Sequence, residues 1–179
     1  MKIEGVNMIV EVKEHNPEWA CLYLEEAEKI KKILQGELIE IYHIGSTSVK
    51  GLKAKPIIDI MAVVKDINSI DQYNSEFIEL GYEPMGEFGI PKRRFFKKGK
   101  EKRTHHIHIF QIADRDNIER HLAVRDYLRE CPEDAEAYGE LKYELAQKFP
   151  KDIEAYCDGK DFFVKELEKK ALVWYKTKK

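Results

Sequence analysis

Apolar residues recur at helical spacing early in the chain, at Trp19, Leu22, Tyr23, Ala27, Ile30, Ile33 and Leu34. Asn16, Pro17 and Glu18 stand ahead of them as cap, first turn and dipole partner, and Gly36 follows as a stop, so the pattern predicts a helix. The short apolar run Met8 to Val12 that precedes it is strand-like. From Ile39 to Val64 the period changes. A strand ends at His43, a small-residue turn Gly45-Ser46-Thr47-Ser48 follows, and a nearly all-apolar strand runs from Pro56 to Val64. A second helical pattern covers Ser69 to Leu80 and stops at Gly81, before a loop between Pro84 and Pro91. Arg93 to Lys97 and Arg103 to Gln111 then read as two strands joined by a polar turn around Gly99. In the second of these Ile107 and Ile109 share one face, so His106 and His108 share the other, and His105 points away from that pair. From about Asn117 the pattern is helical: one helix ends before Pro132, a second runs to about Phe149, and a last amphipathic one follows Gly159.

This order predicts an α+β fold: a mixed-sheet core with flanking helices over residues 1–113, and a C-terminal helical region, 114–179, packed on it as one structural unit. Composition narrows the function. A length of 179 residues suffices for one proper core. The formal net charge is −2 although 36% of residues are charged. That balance argues against a general nucleic-acid binder, which needs excess cation. Cys21, Cys131 and Cys157 are widely spaced, with no CxxC pair, which fits reduced thiols rather than a disulfide frame or zinc knuckle. The opening residues MKIEGVNMIVEVKEHN hold acidic groups and no long apolar run, unlike a signal peptide, and no stretch suits a membrane span. A cytoplasmic protein without membrane partners is expected.

The chemistry gathers in the middle of the chain. Asp59 is a lone carboxylate among Ile57, Ile58, Ile60 and Met61, a costly placement unless it is paired or used. The turn of Gly45, Ser46, Thr47 and Ser48 offers backbone N–H groups suited to phosphate. His43, Asp59, His106 and His108 are the candidate ligands of one divalent ion, and this nitrogen–oxygen set suits zinc or manganese better than magnesium. Lys53, Lys55, Arg93, Arg94 and Arg103 bracket the turn and the hairpin, with Lys55 and Arg94 the candidate phosphate clamps. On the C-terminal helices Arg125, Arg129, Tyr138 and Lys142 form a cation-and-aromatic set that could wall the site, with Arg125 a further phosphate ligand; packing roles for each are the alternative. His15 and His121 have no evident partner. There is no GxGxxG, Walker-type loop or GxSxG elbow, and a serine hydrolase built on Ser46 or Ser48 with His43 lacks supporting groups.

Four blocks, HIGSTSVKGLKAKPIIDI, RRFF, RTHHIHIF and VRDYLRECPEDAEAYGELKYELA, resemble the GrpB-like family in order and over nearly the whole chain. That family is similar in fold to the nucleotidyltransferases. The resemblance implies that Gly45 and Ser46 hold the triphosphate of a nucleoside triphosphate substrate. It also implies that Asp59 is the first of two alternate metal-binding carboxylates. Met61 stands where the second belongs, and His106 and His108 lie near the place of a third. The expected function is a metal-assisted transferase acting on a nucleotide or other phosphorylated small molecule, with Asp59, His106 and His108 catalytic. The competing expectations are a non-catalytic nucleotide- or metabolite-binding module, and a metal-dependent hydrolase using the His/Asp cluster.

Overall fold

The computed structural model describes residues 9–179. Helix α1 (Glu18–Leu34) leads through a single 3₁₀ turn into strand β1 (Leu38–Ile44). A second 3₁₀ turn, Ser46–Ser48, precedes β2 (Ile58–Val64). Then come a 3₁₀ stretch Ile67–Tyr73, helix α2 (Asn74–Glu79) and strands β3 (Tyr82–Pro84), β4 (Arg94–Lys98) and β5 (His105–Gln111). Three helices close the chain: α3 (Arg115–Glu130), α4 (Pro132–Lys148) and α5 (Ile153–Thr177). The fold is α+β, with one mixed sheet in the order β1-β2-β5-β4-β3. Only the central pair, β2 and β5, is parallel.

Alternation along β2 divides the molecule. Ile58, Ile60, Ala62 and Val64 face α1 and α2 together with Ile107, Ile109 and Phe96. Met61, Val63 and Phe110 face the other way, with Ile44, onto Leu122 of α3. Both faces of β2 are covered, which is why its sequence is apolar almost throughout. Further apolar clusters tie α4 and α5 to the sheet's flank, through Val49, Leu52, Tyr138 and Leu167 on one side and Val10, Val12, Leu145 and Tyr156 on the other. No helix among the described residues is long and apolar enough to cross a membrane.

Several expectations are corrected. In the predicted strand at residues 8–12, Met8 lies outside the described residues, and 9–12 form no strand; Lys13 makes one isolated bridge with Ala54. Much of the predicted helix Ser69 to Leu80 is 3₁₀, and α2 proper has 6 residues. The last helix begins at Ile153, so Gly159 lies inside it. A Cβ at Gly159 would come within 2.4 Å of Leu145 Cδ2, so this glycine lets α5 approach α4 rather than opening a helix. The short β3 fills the residues between Gly81 and the predicted loop, for which the pattern names no element.

Candidate functional site

The parallel register sets Asp59 beside His106 and Met61 beside His108, so all four share the α3 face of the sheet. His108 Nε2 lies 3.2 Å and His106 Nδ1 3.5 Å from Asp59 Oδ1. Arg93, itself buried, lies with Nη1 3.3 Å from His108 Nδ1. A guanidinium can only donate, so Nδ1 accepts, and the imidazole proton sits on Nε2 facing Asp59. The result is a chain of donors, Arg93 to His108 to Asp59. Arg93 is fixed in turn by the carbonyls of Glu87 and Phe88 and by the Phe95 ring beneath it. Burial opposes ionisation of Asp59, but hydrogen bonds from His106 and His108 outweigh it and hold the carboxyl below its ordinary range. Burial lowers His108, which stays neutral.

His43 does not join this group. It pairs with Ile60 in the antiparallel β1–β2 register and so belongs to the opposite face. There it stacks on Tyr23 of α1 at 4.8 Å, with Nε2 2.9 Å from Thr47 Oγ1. The four-ligand metal set therefore does not assemble. Its remaining members stay together, with both imidazoles turned to the same oxygen of Asp59. Among the described residues no group of three His, Cys, Asp or Glu side chains is placed to hold one.

Beside Asp59 the chain reverses at Gly45, with φ of 72° and ψ of −174°. A Cβ there would lie 2.7 Å from Asp59 Oδ2, so both backbone angle and space demand glycine. The Ser48 hydroxyl donates to Gly45 O and closes the turn, which makes it a brace rather than a ligand. Helix α3 holds the turn from outside. Arg129 donates twice to Ser48 O, at 2.8 and 3.1 Å, and Arg125 Nη1 donates to His43 O at 3.3 Å. Arg125 also pairs with Asp126 and lies over Tyr42. The expected phosphate role of Arg125 is replaced by this clamp. Arg94 is also elsewhere: paired with Ile109, it faces α2 and makes a two-point contact with Asp71.

A cavity of about 260 Å³ opens over the turn. Gly45, Ser46, Thr47, Lys55, Asp59 and His106 line it from the sheet side, and Tyr138, Lys142, Tyr156 and Lys160 from α4 and α5. Lys142, only 2% exposed, donates from Nζ to Ser46 Oγ at 2.7 Å and stands 4.3 Å from the Tyr138 ring centre. Lys55 and Lys160 flank the Tyr156 ring at 5.2 and 5.4 Å. Among the described residues the lining thus carries three ammonium groups against one carboxylate. Burial lowers both Lys142 and Lys55, and neighbouring lysines lower them further. Among the described residues the buried Tyr156 hydroxyl has no hydrogen-bond partner, an unusual expense for a group of this kind. Lys142 and Tyr138 are the members of the predicted wall that reach the site. Lys160 and Tyr156 are additions, and the sequence does carry a signal for them. Ala137-Tyr138-Gly139-Glu140-Leu141-Lys142 and Ala155-Tyr156-Cys157-Asp158-Gly159-Lys160 repeat one spacing, which puts a lysine one turn beyond a tyrosine on each helix.

The family model described as GrpB protein matches residues 9–170. This chain belongs to the GrpB family. It is 44% identical over 167 residues to the UPF0157 protein YqkA of Bacillus subtilis (strain 168), covering 93% of this chain. It spans about half (48%) of that relative's length. It is 32% identical over 158 residues to the glutamate-rich protein GrpB of Alkalihalophilus pseudofirmus, covering 86% of this chain and 90% of the relative. The crystal structure of conserved protein GrpB from Enterococcus faecalis is similar at a TM-score of 0.90 and 48% identity, over 92% of this chain and 99% of that one. A structure of Cid1 in complex with its short product ApU is similar at a TM-score of 0.48 and 16% identity over 72% of this chain, too distant to carry anything over.

Proposed function

We propose that this GrpB-family chain binds a nucleotide or other phosphorylated small molecule by its phosphate end. One observation carries the reading: Lys55, Lys142 and Lys160 converge on the Gly45-Ser46 turn, with Asp59 the single carboxylate among the described residues of the lining. A phosphate would relieve the mutual repulsion of the lysines. Met61 supports binding over two-metal transfer. It is fully buried in the apolar cluster beneath α3, so the second carboxylate position belongs to the core. Metal-assisted transfer is the second reading, favoured by Asp59 Oδ2, which lies against Gly45 while both histidines meet Oδ1. The hydrolase reading loses His43 and with it most of its support.

Asp59→Asn separates the two. Calorimetry with pyrophosphate, with and without magnesium, manganese or zinc, is the measurement, alongside turnover of labelled nucleoside triphosphates. If the site is a phosphate binder, the variant binds metal-free pyrophosphate as tightly as the parent or more so, because an anion leaves the cavity. If metal-assisted transfer is right, the parent turns triphosphate over only with a divalent ion and the variant does not. Pyrophosphate affinity that is absent in the parent, or indifferent to Lys142→Met, sinks the binding reading.

A further inference from the structure

We propose that the groove adjoining the lysine cavity receives the organic half of the same ligand, an amino-bearing heterocycle of the nucleoside type. The inference rests on the phosphate-binding reading and adds to it what lies at the other end of the molecule. The groove has a volume of about 320 Å³ and is lined by Ile9, Glu11, Lys55 to Ile57, and Glu101 to Arg103. Lys55 and Ile57 line the lysine cavity as well, so the two spaces share a wall. On this proposal a molecule whose phosphate is held at Lys55 extends its next atoms over Ile57 and Pro56.

The walls say what those atoms should be. Ile9, Pro56 and Ile57 supply apolar surface, and Ile9 is 71% exposed. Two carboxylates, Glu11 and Glu101, stand on the walls as hydrogen-bond acceptors. An amine on a heterocycle is a donor matched to them. Arg103 also lines the groove, with Nη1 donating to Gly99 O at 3.2 Å, and a guanidinium is a group on which a flat ring stacks. The hairpin tip that carries Glu101 and Arg103 is itself shaped by Gly99, at φ of 99°, where a Cβ would fall 2.0 Å from Lys102 O. This tip, expected to be a solvated turn only, thus becomes one wall of a binding space.

The test compares two probes by titration calorimetry on the full chain, pyrophosphate for the lysine cavity alone and ADP for cavity and groove together. ADP should bind at least tenfold more tightly than pyrophosphate. The double variant Ile9→Ser, Arg103→Ala should cut that advantage to threefold or less while pyrophosphate affinity stays within twofold. Gly99→Ala, which displaces the tip by another route, should do the same, so misfolding of one variant does not decide the matter. Equal affinity for the two probes overturns the groove and leaves the phosphate reading standing, as does equal weakening of both by the groove variants. Absence of binding by either probe removes the phosphate reading and the groove together.

Discussion

Lys142→Met should raise stability, or leave it unchanged, while destroying anion affinity. Lys142 is 2% exposed, Lys55 and Lys160 oppose its charge, and Asp59 alone favours it. Replacing buried charged groups by apolar ones of similar volume is often stabilising, by about 1–4 kcal/mol. Against this, Ser46 Oγ loses the donor now 2.7 Å away, a cost of about 1 kcal/mol. The net expectation is a gain of roughly 0–3 kcal/mol, and at about 2–4 °C per kcal/mol for a chain of this size the upper end is several degrees in Tm. The sign of the pH dependence follows from burial, which lowers the folded-state pKa of Lys142 well below 10.5. The unfolded chain then binds the extra proton between those two values, so the parent gains stability as pH rises through that window. The variant's advantage is therefore largest at and below the folded-state pKa and fades toward pH 10.5. A charged hydrogen bond is worth about 1.5–3 kcal/mol, so pyrophosphate affinity should fall about 10- to 100-fold. Thermal melts from pH 6 to 10 and calorimetry read both effects. A variant that loses more than about 1 kcal/mol at neutral pH and still binds pyrophosphate as the parent does would refute the picture of a strained cation held for a ligand.

Gly45→Ala places a Cβ 2.7 Å from Asp59 Oδ2 at a φ of 72°, and should cost about 2–4 kcal/mol from backbone strain and the clash together; a Tm within 1–2 °C of the parent would contradict it. Arg129→Ala removes both donors to Ser48 O and should cost about 1–2 kcal/mol while also weakening pyrophosphate binding, because the turn is held from that side; a loss of affinity with unchanged stability would instead mark Arg129 as a ligand. Burial brings the pKa of His43 down to about 4, so the unfolded chain takes up its proton first and stability is lost as pH falls from 6.5 to 4, by roughly 3 kcal/mol over the whole window. His43→Phe should flatten that acid slope, and an NMR titration placing His43 at or above 6.5 would exclude the mechanism.

What the chain determined by itself is local. Helical spacing and caps mark α1, and the Asn16 side chain does accept from Glu18 N. Alternation correctly divides Ile107 and Ile109 from His106 and His108, because side-chain direction along a strand follows from backbone geometry alone. The lone carboxylate in an apolar strand rightly pointed to Asp59 as a paired group. Tertiary structure decided how strands align with one another. His43 and Asp59 lie on different strands, and only the β1–β2 register, Ile44 opposite Asp59, puts them on opposite faces; a slip of one residue would have joined them. Arg94 was lost to the site for the same reason, by its pairing with Ile109. Lys142 lies 96 residues beyond Ser46, and nothing along the chain couples them. Their meeting depends on α4 packing its Tyr138 face against Leu52 and Val49, which follows from burying apolar surface between distant segments. Charge position inside a cavity is thus settled by packing that is blind to charge. A sequence pattern can name the lysines but cannot say that three of them will face one another.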